Sequence, residues 1–437
     1  MGTSDDPRVQ AQLDRLSGLS IQRDTLGMDA IRLLLSRLGD PHLRLPPVFH
    51  VAGTNGKGST CAFLRAMLEA QGYRVHVTTS PHLVRYNERF RVAGELINDA
   101  RLAELLEQVF DAAEGLGCSF FEITIAAAFT EFARVPADVC VVEVGLGGRL
   151  DATNVLESKA LAACGIAALG IDHERFLLAP EDGVPQDPMA RIAFEKAGIA
   201  KRGVPLVSLG SRYPAQAYAA IEDAAQRAGA PLCSFGSDWS CDETNAPAGK
   251  FHYSELRGEY ELHPMAPALN GEHQFENAGL AIAMLRSQDR LTVSEEAMSA
   301  GIGAASWPAR MQLLGQGPLT ALAPDQAVWL DGGHNVSAGR AIATGIAGPV
   351  HLVMGMLDNK DPTSITAPLG ERVRSLSIIP VPGHDAHPAS AFGPDAVARD
   401  GLEDALRNLP ANGFPILIAG SLYLAGEALK LNDEVPV

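Results

Sequence analysis

Residues 51–60 read Val51-Ala52-Gly53-Thr54-Asn55-Gly56-Lys57-Gly58-Ser59-Thr60. A short apolar run, 48–51, precedes the glycines, and a run with helical periodicity follows them. The order is therefore strand, glycine-rich turn, lysine, hydroxyl residues and helix. In this arrangement the backbone N–H groups at a helix N-terminus cradle the phosphates of a nucleotide. The sequence predicts a nucleotide site in a strand–loop–helix unit.

The spacing of this loop departs from the common phosphate-loop pattern, in which a hydroxyl residue follows the lysine directly. Here Gly58 follows Lys57, and the hydroxyls come one position later at Ser59 and Thr60. A glycine-rich turn without a ligand is the alternative. The coincidence of strand, lysine, hydroxyls and helix favours the nucleotide site, with Lys57 as a point charge on the terminal phosphates.

Composition indicates a water-soluble multidomain protein. The chain has 437 residues, a formal net charge of −17 and 20% charged residues, so two or three domains are expected. Strong acidity disfavours binding to nucleic acid or to an anionic membrane. The six cysteines form no CxxC pair and residues 1–15 are polar, so we expect free thiols, no signal peptide and a cytoplasmic location.

Short apolar runs alternate with helix-like runs from residue 47 onward, which predicts a doubly wound α/β domain. Residues 139–144 are apolar except for Glu143, as in a strand buried on both faces of a parallel sheet. The predicted strands are 48–51, 74–79, 138–144, 160–167 and 205–209.

A second α/β series follows a more polar region. Residues 233–267 contain two short alternating runs, 250–256 and 259–262, and are predicted to form a hairpin that ends the first domain. A helical run, 274–285, comes next. Further strands are predicted at 327–330, 350–354, 375–381 and 415–418, with a domain boundary between 286 and 310.

Two polar residues end predicted strands of the first domain, where open α/β sheets bind their ligands. Glu143 ends an apolar strand, and an ionised carboxylate in that position is costly unless a cation or a hydrogen bond compensates it. A hydrogen bond to a neighbouring loop is the structural alternative to a metal. His173 follows another apolar run, and a structural histidine is the alternative there.

Many blocks, in order along nearly the whole chain, resemble folylpolyglutamate synthases and bifunctional dihydrofolate synthase/folylpolyglutamate synthases of the Mur ligase superfamily. The blocks are HVAGTNGKGST (50–60), TSPHLVRYNERFRVAG (79–94), FEITIAAAF (121–129), VEVGLGGRLDATNV (142–155), GIDH (170–173), FEKAGIAKRGVP (194–205), LNGEHQFENAGLA (269–281), WPARMQ (307–312), LDGGHN (330–335), GMLDNKD (355–361) and GSLYLAGE (420–427). Such a set is far more specific than one motif.

The resemblance implies two domains. Residues 1–297 would form an ATP-binding Mur-ligase-type domain with a pterin site, and residues 298–437 a smaller Rossmann-like α/β domain that completes the ATP site and contributes to glutamate binding. The implied reaction joins L-glutamate to dihydropteroate, and to folates, through an acyl phosphate formed from ATP. The active site would lie in the cleft between the domains, and domain closure would bring Asp331 over the nucleotide.

The resemblance also assigns the residues that bind ATP and metal. Lys57, His173 and Lys196 would be catalytic, and two Mg²⁺ ions are expected. The implied ATP-binding residues are Gly53, Thr54, Asn55, Gly56, Lys57, Gly58, Ser59, Thr60, Asn277, Arg310 and Asp331. The implied metal ligands are Ser59, Ser80, Glu143, His173 and Lys196.

Lys196 resembles the lysine that this superfamily carbamylates, a change that turns a cation into an anion able to hold a second magnesium. An ordinary surface lysine, in a helix opened by Asp187 and Pro188, is the alternative.

The remaining implied residues bind the organic substrates. Arg85 and Arg149 are candidate partners for a carboxylate or phosphate group. The structural alternative is a surface ion pair, which many arginines near acidic loops form. The implied substrate-binding residues are Thr25, Leu26, Gly27, Met28, Arg85, Phe121, Glu122, Arg149, Leu150, Asp151, Ala152 and His334. The partners would be ATP, L-glutamate and a pterin acceptor, and we expect a monomer.

Three departures from the family pattern stand out. Val336 replaces a common proline, Ala309 replaces a usual glycine, and the loop 174–186 is longer than usual. This loop is predicted to be a surface insertion, with proximity to the active site as the alternative.

Other functions remain possible from the sequence. A folate-only elongating enzyme is the nearest alternative, and another Mur-type amino-acid ligase is more distant because only about 45 residues precede the phosphate-loop strand. A P-loop switch that only binds or hydrolyses nucleotide is the third.

Overall fold

The computed structural model describes residues 4–19, 27–242, 247–256 and 260–436. The chain divides into two compact units. Unit 1 comprises residues 1–82, 87–268 and 274–306, and unit 2 comprises residues 83–86, 269–273 and 307–437.

The described residues of unit 1 form the first eleven strands and ten α-helices. The strands are β1 (Val48–Ala52), β2 (Val75–Thr78), β3 (Arg91–Val92), β4 (Glu95–Leu96), β5 (Val139–Glu143), β6 (Leu161–Ile166), β7 (Leu206–Ser208), β8 (Leu232–Ser234), β9 (Trp239–Asp242), β10 (His252–Glu255) and β11 (Tyr260–Leu262). The helices are α1 (Pro7–Ser17), α2 (Asp29–Arg37), α3 (Lys57–Ala70), α4 (Asp99–Ala112), α5 (Phe120–Arg134), α6 (Glu174–Leu177), α7 (Pro188–Ala197), α8 (Ala215–Ala228), α9 (His273–Arg286) and α10 (Glu295–Ala304).

The large sheet of unit 1 has the strand order β4-β3-β2-β5-β1-β6-β7-β8. From β2 to β8 every neighbouring pair is parallel, and β3 and β4 add an antiparallel edge. All residues of β1, β5 and β6 are buried, which explains why these strands are apolar apart from His50 and Glu143 and show no alternation. The predicted doubly wound α/β domain is confirmed.

The predicted hairpin in residues 233–267 was partly wrong. Strands β10 and β11 do pair as antiparallel neighbours, but β9 pairs with the other side of β10 to make a three-stranded sheet. Strand β8 belongs instead to the large sheet, next to β7. Residues 232–234 are too short a run to show from their pattern which sheet they join.

Unit 2 contains a six-stranded sheet and four helices. Its strands are β12 (Gln312–Leu313), β13 (Val328–Leu330), β14 (Val350–Met354), β15 (Val373–Ile378), β16 (Ala396–Ala398) and β17 (Ile416–Ala419). Its helices are α11 (Val336–Gly345), α12 (Thr363–Leu369), α13 (Leu402–Arg407) and α14 (Leu422–Leu431). The strand order is β12-β13-β17-β14-β15-β16, parallel except for β12.

Two apolar clusters form the core of unit 2. One packs Leu330, Ile418 and Leu424, and the other packs Leu352, Met354 and Ile378. No helix in the described part of the chain has both the length and the apolar character that a membrane span needs.

Candidate active site

The phosphate loop lies between β1 and α3, and its glycines take conformations that other residues adopt rarely. Gly53 and Gly56 have φ values of 155° and 81°. The backbone N–H groups of Thr54 and Asn55 both donate to the carbonyl of Ala168, at 2.8 and 3.2 Å. Helix α3 begins at Lys57, so Ser59 and Thr60 lie in its first turn. The Thr60 hydroxyl is buried with no hydrogen-bond partner among the described residues.

Asn277, on α9, lies directly against this loop. A Cβ atom added at Gly56 would lie 2.4 Å from the Asn277 amide oxygen. The Asn277 amide nitrogen donates to Gln274 at 3.0 Å, which fixes which way the side chain points. The structure therefore brings Asn277 together with the predicted ATP loop.

We expect Gly56→Ala to destabilise the protein by roughly 2 to 3 kcal/mol, because it adds a clash with Asn277 to the strain of a positive φ. Gly72→Ala is the matched control, since Gly72 has a φ of 95° just beyond the other end of α3 but no atom within 4 Å of an added Cβ. The control should lose only about 1 kcal/mol. Urea unfolding of both variants measures the difference, and equal losses would contradict the contact.

Two lysine ammonium groups converge on one carbonyl of the phosphate loop. Lys57 Nζ donates to Gly53 O at 3.1 Å and to Thr54 O at 3.3 Å. Lys196 Nζ donates to the same Gly53 oxygen at 2.9 Å. Two lysine side chains thus meet at the point where the phosphates of a nucleotide would bind, and the charge of Lys57 favours these anions.

Lys196 is buried, with only 4% of its surface exposed, so the surface-lysine alternative is wrong. It lies on α7, which starts at Pro188 with Asp187 as its N-cap, as the sequence indicated. Burial, and next the positive charge of Lys57, lower the pKa of Lys196 from its usual 10.5 to about 7. A substantial fraction of Lys196 is therefore an uncharged amine near neutral pH.

Glu143 ends β5 and is buried. Its Oε2 accepts a hydrogen bond from the backbone N–H of Ser80 at 3.0 Å. The contact follows from the sheet, because β2 and β5 are parallel neighbours whose carboxyl ends meet. The predicted pair Ser80 and Glu143 is thus brought together, and the hydrogen bond to a neighbouring loop is also present.

The position of His173 gives less support to its predicted role as a metal ligand. It is exposed, has a φ of 54°, and precedes the one-turn helix α6. Its neighbour Asp172 is close enough to Lys196 to raise that lysine's pKa. Within the described ranges, no three His, Cys, Asp or Glu side chains are grouped as metal ligands. The metal role of His173 stays a prediction.

Several residues predicted to bind the pterin have structural partners in the loop after β5. Asp151 is buried and accepts hydrogen bonds from the N–H groups of Leu146 and Thr153, at 2.8 and 3.0 Å. Burial raises the pKa of this carboxyl. Glu122 closes a capping box with Ser119 at the start of α5. These contacts give both carboxylates a role in the fold.

Phe121 lies against the same loop. A Cβ atom added at Gly145 would lie 2.3 Å from the end of the Phe121 ring, so only glycine permits this approach. The structure therefore brings the predicted positions 121–122 and 150–152 to one place.

Arg149 is occupied by carboxylates of the chain itself. Its Nη2 is 2.6 Å from Glu181 and 2.9 Å from Glu195. This arrangement supports a structural role for Arg149 and gives no support to a substrate contact. Sequence reasoning missed Glu181 and Arg191, which complete the same ion-pair cluster. The acidic character of the loop 174–186 was the only signal that could have pointed to it.

Unit 2 holds its own group of predicted residues around Asp331, at the end of β13. The Asp331 carboxylate accepts hydrogen bonds from the N–H groups of Met311 and Gly333, at 2.8 and 2.7 Å. Arg310 lies beside Gly332, with Nη1 3.1 Å from the position of an added Cβ. Ala309 has a φ of 54°, a conformation that glycine adopts more readily.

The other predicted residues lie in both units. Arg85 and His334 are half-buried in unit 2, Gly27 and Leu150 are half-buried in unit 1, and Ala152 is buried. Met28 immediately precedes α2. Thr25 and Leu26 lie outside the described residues.

Comparison with protein-family models gave no match. Among curated proteins, the chain is 34% identical over 435 residues to the dihydrofolate synthase/folylpolyglutamate synthase of Escherichia coli, covering 96% of this chain and 94% of that protein. It is also 32% identical over 428 residues to a probable bifunctional folylpolyglutamate synthase/dihydropteroate synthase of Halobacterium salinarum. That alignment covers 92% of this chain, which spans only about half, 49%, of the length of this relative.

Solved structures agree with the curated relatives. Escherichia coli FolC in complex with DHPP and ADP is 29% identical, with a TM-score of 0.83 and 99% of each chain covered. A bifunctional folylpolyglutamate synthase/dihydrofolate synthase from Yersinia pestis, complexed with AMPPNP and Mn ion, is 29% identical with a TM-score of 0.82, covering 98% of this chain and 99% of that one. The chain belongs to the dihydrofolate synthase/folylpolyglutamate synthase family.

Proposed function

We propose that the chain is an ATP-dependent ligase that joins L-glutamate to the carboxylate of dihydropteroate, and also to folates. The observation that carries the proposal is the meeting of Lys57 and Lys196 at Gly53 O, in a phosphate loop. Relatives with this fold bind ADP with DHPP, or AMPPNP with Mn ion, which supports ATP and a divalent metal as the requirements here.

The proposed reaction has two steps. A carboxylate oxygen of the acceptor attacks the γ-phosphorus of ATP, so that ADP leaves and an acyl phosphate forms. The glutamate amine then attacks the acyl carbon, loses a proton, and phosphate departs as the amide bond is completed. Crowded anions must be held in line in the first step, so positioning and charge neutralisation supply most of the catalysis.

Within this reaction, Lys57 would neutralise the terminal phosphates. Among the described residues, its Nζ donates to the backbone carbonyls of Gly53 and Thr54, and these bonds can be exchanged for bonds to phosphate oxygens. The backbone N–H groups at the start of α3 would hold the other phosphate oxygens. Arg310 and Asp331 of unit 2 are proposed as further ATP contacts, and His334 as part of the glutamate site.

The residues of unit 1 fit a magnesium ion. Glu143 supplies a buried carboxylate beside Ser80, and Ser59 lies next to the buried Thr60 hydroxyl, which has no hydrogen-bond partner in the described part of the chain. Oxygen donors of this kind suit a hard cation. Magnesium held there, with His173 as a further ligand, would offset phosphate charge.

We also propose that Lys196 is carbamylated and that the carbamate binds the second metal ion. The uncharged amine attacks carbon dioxide and loses a proton, which gives a carbamate anion. The low pKa of Lys196 supports this step, because only the unprotonated amine reacts. The negative charge of a buried carbamate would then be balanced by the nearby Lys57 cation. The carbamate oxygens would provide ligands for Mg²⁺.

We further propose a cytoplasmic monomer. The six cysteines, all of them in the described part of the chain, are not joined in disulfides and five of them are buried, which fits a reducing compartment.

The deciding assay follows ADP release with ATP, magnesium and L-glutamate, using dihydropteroate in one reaction and a reduced folate monoglutamate in another. Glutamate-dependent ADP release with both acceptors is expected. Release with the folate alone would leave only the elongating activity, and release without glutamate would favour a nucleotide switch. No glutamate-dependent release with either acceptor would reject the ligase.

A further inference from the structure

The long loop 174–186 makes two contacts with the segments around the candidate site, namely the turn after β5 and helix α7. The first is apolar: Leu177, in α6, is buried, and a Cβ atom added at Gly147 would lie 2.9 Å from its Cδ2. The expectation of a surface insertion is therefore incomplete, because one end of this loop packs against the glycine-rich turn that follows β5.

The second attachment is ionic. Glu181 Oε2 lies 2.6 Å from Arg149 Nη2 and 2.7 Å from Arg191 Nη2. Both arginines also contact Glu195, at 2.9 and 3.1 Å. Two guanidinium groups and two carboxylates thus form a closed cluster of four charges. We call it the Glu181 cluster.

This cluster lies where the turn after β5 contacts the end of α7. The Arg149 N–H donates to Glu195 O at 2.7 Å. A Cβ atom at Gly148 would lie 2.8 Å from the carbonyls of Glu195 and Lys196, and one at Gly198 would lie 2.4 Å from Arg149 Cβ. The backbone of the turn therefore contacts the backbone of α7 directly. Lys196 is part of this contact, and its side chain extends from it to Gly53 O.

We propose that Glu181 is a positioning residue, which holds the turn after β5 against α7 and so fixes Lys196 on the phosphate loop. The role in turnover rests on the ligase function proposed above. Glu195 also joins the turn to α7, through its own contact with Arg149. Glu181 adds a link from a third segment, because it comes from the loop 174–186 and reaches Arg149 of the turn and Arg191 of the helix together.

Exposure separates this role from a contribution to global stability. The Glu181 side chain is 40% exposed, whereas those of Arg191 and Glu195 are only 6% and 4% exposed. Because the Glu181 carboxylate is largely solvated and Arg191 keeps its contact with Glu195, we expect the loss of the Glu181 pairs to change the folding free energy little. A small displacement of a catalytic group can nevertheless lower turnover strongly.

The test compares Glu181→Gln and Glu181→Asp with Asp182→Asn. This control neutralises an exposed acid that follows Glu181 directly in the same loop. Glu181→Gln should lower kcat about tenfold, with KM for ATP within about twofold and a melting temperature within about 4 °C of the parent. Glu181→Asp keeps the charge and should recover part of kcat. Asp182→Asn should match the parent protein.

Hydrogen exchange gives a second readout that needs no turnover. Backbone amides of 146–151 and 195–198 should exchange faster in Glu181→Gln and unchanged in Asp182→Asn. Unchanged exchange in Glu181→Gln, or a loss of kcat equal to the loss of folded protein, would overturn the inference. If the parent protein shows no ligase activity, the proposed function fails, and the exchange result alone decides whether Glu181 holds the turn.

Discussion

Lys57→Ala is expected to lower kcat/KM for ATP by about 100- to 1000-fold, the range found when one preorganised charge or donor is removed from a transition state. Lys57 is the first residue of α3, and its ammonium already lies on the carbonyls of Gly53 and Thr54. Without it, the phosphates would meet the helix N-terminus with one fewer positive charge. Initial rates at varied ATP, with glutamate and acceptor saturating, measure the effect.

Lys201→Ala is the matched control for this variant. Lys201 is also a partly buried lysine of unit 1, but its Nζ donates to Asn154 Oδ1 at 2.7 Å rather than to the phosphate loop. Its removal should leave kcat/KM for ATP within about threefold, a change worth less than 1 kcal/mol. Equal losses in the two variants, or unchanged turnover in Lys57→Ala, would reject the assignment of the loop.

Lys57→Ala should also alter Lys196, because the two ammonium groups share an acceptor. The charge of Lys57 is the second cause, after burial, of the low Lys196 pKa. Removing it should raise that pKa and reduce the uncharged amine available at neutral pH. The variant is therefore expected to carry less carbamate on Lys196 and to bind phosphate more weakly. The activity losses of Lys57→Ala and of a Lys196 variant should therefore not add up in the double variant.

The fold could be predicted from the sequence where strands are buried on both faces. Strands β1, β5 and β6 are apolar apart from His50 and Glu143, and the structure places each within one residue of the predicted bounds. Strands β3 and β4 have two residues each and lie at the sheet edge, so no periodicity marks them. Strand β3 pairs with β2 and β4 pairs with β3, so their structure depends on a contact with β2 that the pattern of these short runs does not show.

The candidate site divides in the same way. Motifs and resemblance pointed to Glu143 and Ser80, and parallel pairing of β2 with β5 explains why they meet. The partners of Arg149 could not be foreseen, because Glu181 is 32 positions away in an irregular loop. Whether Lys196 faces solvent was also undecided, since the packing of α7, rather than its own periodicity, buries that side chain.

Lys196→Met is expected to abolish turnover and, at the same time, to stabilise the metal-free protein at pH 7. Methionine has a similar length and no charge, so it removes the cost of burying an ammonium group. The folded-state pKa of about 7 lies below the ordinary value of 10.5. At and below pH 7 the substitution should therefore raise the free energy of unfolding by roughly 3 kcal/mol, after the lost hydrogen bond to Gly53 is subtracted.

The pH dependence of that gain has a definite sign. Between about pH 7 and 10.5 the unfolded chain keeps the lysine proton that the folded chain has lost, so parent stability rises with pH relative to Lys196→Met. The gap should be largest below pH 7 and close near pH 10.5. Denaturant unfolding at several pH values, in metal-free and bicarbonate-free buffer, measures it. A constant gap would show that the lysine is not buried as a destabilised cation.

Chemical rescue separates the carbamate role from simple loss of the side chain. In Lys196→Ala, a short-chain carboxylic acid can enter the space left by the side chain and place an anion where the carbamate would be. Partial recovery of glutamate-dependent ADP release with added acid is expected, together with no recovery in Lys57→Ala, whose missing group is a cation. Full activity of Lys196→Ala without any addition would reject the carbamate, and rescue of both variants alike would show that the acid acts elsewhere.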